Sequence, residues 1–483
     1  MTDIAQTALG DLAGTEEEGV RVFRGVPYAV PPLGERRFAA PEAVAAWEGL
    51  RDATAHGPIA PQGRSRLAVA MGEFNREQSE DCLTLTIWTP AADGRARPVL
   101  VWLHGGAWIS GAGSLDWYDG GTLAREGDVV VVGVNYRLGA LGYLHLPGVS
   151  PGNLGTLDQA LALAWVRDHI AGFGGDPGRV TLAGQSAGAT SIGRLMLDAR
   201  SRQLFHQAIL QSGSFGRPPR TLAEAGEQGA RYAGLLGVDP GAGDVAARMR
   251  DVPVAELVAA QGGLARALAR FGETTPPFMP ALAAATTRDG LLDDIAVAAG
   301  DMPVLLGVTR EEVHAFYGAD PAMAVPDAAL SAARLGERLG EYQARRPGGG
   351  MMDWLADQAS DETFIWPSMR LAQALGGKVF AYQFDWSPPG SRFKACHCIE
   401  LPFVFGTLAA FAGAAMLEGG DRAFCEALSA RMRRCWIAFI RTGAPGADWP
   451  GYTQERRLTM RFDAVCDVNG DPAGFATRAG EYS

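Results

Sequence analysis

Lysine is almost missing from this chain. Of 483 residues only Lys378 and Lys394 are lysine, and arginine carries nearly all the positive charge. Acidic residues outnumber Lys and Arg by 54 to 43, a formal net charge of −11. Such a balance excludes nucleic acid and an anionic membrane surface as main partners. Cysteine is sparse as well. Cys82, Cys396, Cys398, Cys425, Cys435 and Cys466 form no C-x-x-C pair, which excludes a disulfide framework and leads to the expectation of a reduced, cytoplasmic protein. Long apolar runs are also lacking, so no segment is expected to span a bilayer. Met1 to Gly14 has neither the basic nor the apolar region of a secretory signal.

What remains is ordinary globular chemistry, 47% hydrophobic and 20% charged, with ample material for a core. Short apolar strands are predicted at Val20 to Phe23, Leu83 to Trp88, Pro98 to His104, Asp128 to Val134, Arg179 to Ala183, His206 to Leu210, Pro303 to Val308 and Lys378 to Phe384. Helical spacing marks Leu157 to Ile170, the alanine-rich stretch Thr221 to Leu268, and Ala423 to Thr442. Apolar strands alternating with helices predict an α/β fold with a largely parallel sheet and antiparallel strands at its early edge. No repeat or low-complexity linker divides the chain. Residues 1–483 therefore read as a single domain, with helical insertions within roughly 221–366 forming a cap over the sheet.

One stretch carries most of the chemistry, Phe173-Gly-Gly-Asp-Pro-Gly-Arg-Val-Thr-Leu-Ala-Gly-Gln-Ser-Ala-Gly188. Its end, Gly184-Gln-Ser-Ala-Gly188, fits the G-x-S-x-G nucleophile elbow. The pentapeptide alone is a weak signal in a chain with 63 glycines. Its strand-turn-helix setting strengthens it, because such a turn projects the Ser186 hydroxyl and aims a helix N-terminus at the reaction centre.

A serine hydroxyl needs a base, and the base needs a carboxylate to hold its tautomer. In this arrangement the chain order is Ser, then Asp or Glu, then His. Only His206, His314 and His397 follow Ser186. His206 opens a buried strand, and His314 occupies the slot where the acid belongs. His397, in a loop after the Lys378 strand, has the right position for the base. Cys396 and Cys398 flank it, but two thiols one residue apart lack zinc-ligand spacing, and neither a metal nor an organic cofactor is expected. Glu311 and Glu312 both follow a strand end, and residue chemistry does not choose between them. Backbone N–H groups for an oxyanion are expected from Gly105 and Gly106, after a strand, and from Ala187.

These residues together resemble the type-B carboxylesterases, the cholinesterase-like branch of the α/β-hydrolase fold, and within it the bacterial esterases of p-nitrobenzyl-esterase type. The resemblance runs almost end to end, from Phe23-Arg-Gly-Val-Pro-Tyr28 through Ser79-Glu-Asp-Cys-Leu83, His104-Gly-Gly-Ala-Trp108, Asn135-Tyr-Arg-Leu-Gly139 and Leu204-Phe-His-Gln-Ala-Ile-Leu-Gln-Ser-Gly213 to Trp449-Pro-Gly-Tyr452. It implies a serine hydrolase acting on carboxylic esters through an acyl-serine intermediate. It implies Glu312 as the triad acid, with Val313 in place of a usual glycine, and Ser212 as a support for that acid. It also implies buried ion pairs Arg37–Glu80 and Arg137–Asp158. Ala60 stands where relatives carry the disulfide partner of Cys82. Gly72 replaces the choline-binding tryptophan, so a choline ester is not expected. Gln185 replaces the glutamate common before the nucleophile.

The expected partner is a small-molecule ester. Trp108, Trp117, Phe316 and Trp366 are expected as pocket walls favouring apolar or aromatic groups. The same triad could serve a carbamate, an amide or a lactone. A non-catalytic binding protein of this fold is the alternative from another class.

Overall fold

The computed structural model describes residues 3–268, 275–317, 333–376, 378–472 and 474. Its centre is a 13-stranded sheet. In chain order the strands are β1 (Asp3–Thr7), β2 (Gly10–Glu17), β3 (Val20–Pro27), β4 (Leu50–Asp52), β5 (Thr84–Thr89), β6 (Arg97–Leu103) and β7 (Val130–Val134). Then come β8 (Gly175–Gln185), β9 (Gln207–Gln211), β10 (Val304–Thr309), β11 (Val379–Phe384), β12 (Leu458–Phe462) and β13 (Asp467–Gly470). The spatial order is β1-β2-β3-β5-β7-β6-β8-β9-β10-β11-β12-β13, with β4 beside β2.

From β7 to β12 every neighbouring pair is parallel. The β1-β2-β3-β5-β7 side and the final β12–β13 pair are antiparallel. This is the α/β-hydrolase architecture. The central strands β5, β6, β7 and β10 are buried along their whole length. The Val and Leu runs of β6, β7 and β10 are what a strand covered on both faces requires, whereas β5 alternates Thr with Leu, Ile and Trp.

The covering helices are α1 (Leu154–His169), α2 (Ala187–Leu197), α3 (Leu222–Leu235), α4 (Val245–Asp251), α5 (Val254–Leu268), α6 (Arg288–Ala299), α7 (Met351–Ser360), α8 (Trp366–Leu375) and α9 (Arg422–Thr442). A π-helical turn, Asp361–Ile365, joins α7 to α8. One face of the sheet packs against α1, α2, α6 and α8, where Leu163, Val166, Ile192, Leu195, Ile295 and Leu371 meet Val101, Leu182 and Leu306. The other face packs against α9 through Met432, Trp436 and Phe439. The alanine-rich stretch Thr221 to Leu268, read as helical in pattern, forms three helices. Val252-Pro253 separates the last two, because proline cannot continue α4. The hairpins β1–β2 and β12–β13 were not predicted, since their short strands lie at sheet edges and carry no long apolar run.

Both ion pairs implied by the resemblance form. Arg37 grips Glu80 through Nε and Nη2 at 2.7 and 2.5 Å, and its Nη1 donates to the carbonyls of Arg250 and Val252. Arg137 grips the fully buried Asp158 at 2.9 and 2.7 Å and donates to the Ala39 carbonyl. Cys82 is buried and unpaired.

Candidate active site

Strand β8 and helix α2 meet at Ser186, whose φ and ψ are 56° and −119°. A non-glycine residue in this region is strained, and the surroundings hold it there. Ser186 N–H donates to the Gln211 carbonyl at 2.8 Å, and its own carbonyl receives Thr190 N–H at 3.0 Å. The elbow glycines are needed for space. A Cβ on Gly188 would lie 2.0 Å from the Leu103 carbonyl oxygen, and one on Gly184 2.7 Å from the Gly188 backbone.

Glu312 follows β10. Its Oε1 accepts the Thr309 N–H at 2.8 Å, and its Oε2 lies 2.5 Å from His397 Nδ1. Both residues are wholly buried. Nδ1 therefore donates to the carboxylate, and Nε2 carries the lone pair. The rings of Phe364 and Phe316 flank the imidazole at 4.8 and 5.5 Å. The acid and histidine loops are also joined through backbone, Glu311 N–H to the Ala395 carbonyl and His397 N–H to the Glu312 carbonyl.

Glu311, the other glutamate, faces away from His397. It accepts from Ala395 N–H and from Arg310 and Arg346, a structural position. Val313 is buried with Ala356, Ala359 and Phe364, and its N–H donates to Ser360 Oγ. It has no positive φ, so this loop does not require glycine there.

Ser186 and His397 line one cavity of about 30 Å³ with Ser65, Arg66, Gly106, Ala107, Ser214, Arg217 and Phe316. Among the described residues no hydrogen bond joins Ser186 Oγ to His397. The imidazole Nε2 lies instead 3.1 Å from Gln185 Nε2, whose amide N–H donates to it. Gln185 Oε1 is buried without a hydrogen-bond partner.

Several sequence expectations change here. Gly106 and Ala107 line the cavity, but Gly105 does not. Gly105 packs on the elbow, where an added Cβ would meet Gln185 Oε1 at 2.5 Å. The backbone that lines the cavity beside Ser186 is thus that of Gly106, Ala107 and Ala187. Gly106, Ala107 and Trp108 have successive positive φ values of 113°, 54° and 58°. The buried His104 helps hold this turn. Its Nδ1 contacts the Gly105 carbonyl at 2.7 Å, and burial pushes its basicity down to about 4, keeping it neutral.

Three expected pocket walls are core residues. Trp108 donates to Ser191 Oγ and packs beside Ala187 and Tyr143. Trp117 stacks on Phe411, and Trp366 lies in the main core beneath the Arg338 guanidinium. Packing claimed all three aromatic rings. Ser212 Oγ is buried and makes no hydrogen bond to Glu312; Thr309 N–H supplies the second donor instead. Sequence reasoning passed over Ala107, Arg66 and Arg217. Ala107 could have been found from its place directly after the glycine pair. The two arginines carry no local motif.

Burial pushes the thiols of Cys396 and Cys398 well above their ordinary range, which disfavours the thiolate a metal would need.

The profile of the Carboxylesterase family matches residues 2–470. Phenmedipham hydrolase of Pseudarthrobacter oxydans is 40% identical over 467 residues, covering 93% of this chain and 92% of that protein. Para-nitrobenzyl esterase of Bacillus subtilis (strain 168) is 38% identical over 485 residues, covering 97% and 96%. A solved PNB esterase structure superposes with a TM-score of 0.87 at 36% identity, covering 100% of both chains.

Proposed function

The chain belongs to the carboxylesterase family, and from that premise we propose that Ser186, His397 and Glu312 are its catalytic triad. Ser186 Oγ attacks the ester carbonyl as His397 Nε2 takes its proton. Glu312 holds the imidazole in the tautomer with Nδ1 protonated and stabilises the imidazolium. The N–H groups of Gly106, Ala107 and Ala187 hold the oxyanion. Each such donor contributes on the order of 3–4 kcal/mol to transition-state stabilisation. His397 then gives its proton to the alcohol as it leaves, and a water deacylates the serine by the reverse path. Before attack, Nε2 exchanges its hydrogen bond from Gln185 for one from Ser186 Oγ.

The observation that supports this reading is the 2.5 Å contact of Glu312 with His397 Nδ1, beside a cavity that His397 and Ser186 share. The substrate is a small-molecule ester, admitted by movement of side chains such as Phe316 because the cavity has the room of about one water. A carbamate is the second reading, favoured by the 40% identity to a protein named phenmedipham hydrolase. Six unpaired cysteines support a reducing compartment such as the cytoplasm. The whole chain acts as one domain, with the helical insertions within 221–366 as its cap.

Ser186→Ala should lower kcat for a chromogenic aryl ester by roughly 10⁴-fold or more with an unchanged circular dichroism spectrum. Labelling by an organophosphonate should disappear with it. Substantial residual turnover would overturn the assignment.

A further inference from the structure

One hydrogen bond at the site has no place in a serine triad. Strand β8 ends at Gln185, and the buried Gln185 side chain turns onto His397. Its Nε2 lies 3.1 Å from His397 Nε2, the nitrogen that must take the proton of Ser186. Glu312 fixes the direction of this bond. Its carboxylate, 2.5 Å away, holds the imidazole proton on Nδ1. Nε2 therefore presents a lone pair, and only the N–H end of the amide can face it. The imidazole has one such lone pair, so Gln185 and Ser186 compete for it.

The amide is seated for this contact. Its Oε1 is buried against Gly105. Gly105 has no positive φ, so its backbone does not require glycine. Space does. A Cβ there would lie 2.5 Å from Gln185 Oε1 and 3.0 Å from the Gln185 carbonyl oxygen. Gly105 thus leaves room for the side chain that reaches His397. The same amide is within hydrogen-bond reach of the Cys398 thiol, which lines the cavity with Ser186. Glutamine also stands here in place of the glutamate that the resemblance puts before the nucleophile. A carboxylate accepts and cannot donate, so it would favour the opposite, protonated state of Nε2.

Resting on the proposed triad, we infer that Gln185 is a positioning residue whose amide N–H holds His397 neutral, with Nε2 occupied, until Ser186 Oγ takes its place. The consequence is a pH dependence. A donor on Nε2 favours the unprotonated ring, so the base stays available further into acid than it would without that donor. The other titratable and charged groups around the imidazole come from several elements. They are Glu312, Cys396, Cys398 and Glu400 on the acid and histidine loops, His104 in the turn after β6, and Arg66 and Arg217 on the cavity wall. The short helix His314–Tyr317 presents Phe316, while His314 turns to Asp353 and Lys394. The π-helical turn presents Phe364, while its Asp361 and Glu362 meet Arg345 and Gln358. A substitution at Gln185 keeps all of these residues, so a change in the pH profile reads the amide.

The test follows labelling of the full chain by an organophosphonate across roughly pH 5 to 9, a reaction that reports attack by Ser186 without deacylation. The second-order rate constant is measured for the wild type, Gln185→Met and Gln185→Glu. Methionine keeps the length of the side chain and removes the donor. The acid limb of the Gln185→Met profile should move to higher pH by at least about 0.4 unit, the worth of one modest hydrogen bond. Gln185→Glu should move it further in the same direction. A residue that merely packs would lower the plateau rate without moving the limb. A limb in Gln185→Met that moves by less than this, or moves down, would overturn the inference while leaving the triad intact. If Gln185→Met loses the wild-type circular dichroism spectrum, Gln185→Glu decides on the same threshold. Absence of labelling in the wild type would instead count against the triad and this inference together.

Discussion

Glu311 and Glu312 are neighbours that face opposite sides of one loop. The carboxylate of Glu312 meets His397, and that of Glu311 meets Arg310, Arg346 and the Ala395 N–H. The proposed roles separate the two by experiment. Glu312→Gln should keep the volume and remove the charge, lowering kcat on the order of 10³–10⁴-fold, because the amide no longer stabilises the imidazolium. Glu311→Gln should cost stability instead, on the order of 2–3 kcal/mol, since two guanidinium groups lose an anion that is only 2% exposed. Steady-state kinetics and urea unfolding on both variants check this. A larger kcat loss for Glu311→Gln would reverse the assignment. Val313 belongs to the same scale. Its side chain replaces open space beside the acid with contacts to Ala356, Ala359 and Phe364, and so ties the acid loop to α7.

At the scale of elements, the site is where four chain reversals meet. The turn after β6 carries Gly106 and Ala107, the elbow carries Ser186, and the loops after β10 and β11 carry Glu312 and His397. Strand adjacency sets this arrangement, since β6, β8, β9, β10 and β11 are consecutive neighbours in one parallel array. The elbow depends on a close approach of α2 to β6. Gly188→Ala places a methyl group 2.0 Å from the Leu103 carbonyl oxygen, a backbone atom that cannot swing aside. The variant should lose activity at least a hundredfold and lower the unfolding midpoint, because the turn must open to admit the Cβ. Wild-type kcat in that variant would show that the elbow tolerates such an opening.

For the whole molecule, one buried acid sets a pH dependence. Glu400 is fully buried near Gln211, which in turn accepts from Trp436 on α9. Burial, and secondarily the charge of Glu312, pushes its carboxyl up to about 8. The group is therefore protonated in the folded state where the unfolded chain has already ionised it. Its contribution is fully present below about 4.5, the ordinary glutamate value, and is lost as pH rises through about 8. Glu400→Gln removes that slope. The stability of the variant relative to wild type should rise between pH 5 and pH 8, by an amount on the order of 4 kcal/mol at most. Urea unfolding at several pH values measures it, and a difference independent of pH would refute it.

The alternation of apolar strands and helices was legible in the chain because a sheet buried on both faces needs continuous runs such as Val99 to Leu103 and Val129 to Val132. The elbow was legible because its geometry demands small residues at fixed offsets from Ser186. The order serine, acid, histidine was legible because strand order constrains it. Four matters lay beyond local residue chemistry and were decided by the tertiary structure, the first of them also implied by the family resemblance. Loop direction turned Glu312 rather than Glu311 toward His397. Packing drew Trp108, Trp117 and Trp366 into the core. The turn at Gly106 and Ala107, not Gly105, reached the cavity. And Arg66 and Arg217, 151 positions apart in sequence, came to line one cavity. Local sequence encodes backbone conformation and burial periodicity, but which side chains meet across a site depends on how distant loops are held by the sheet beneath them.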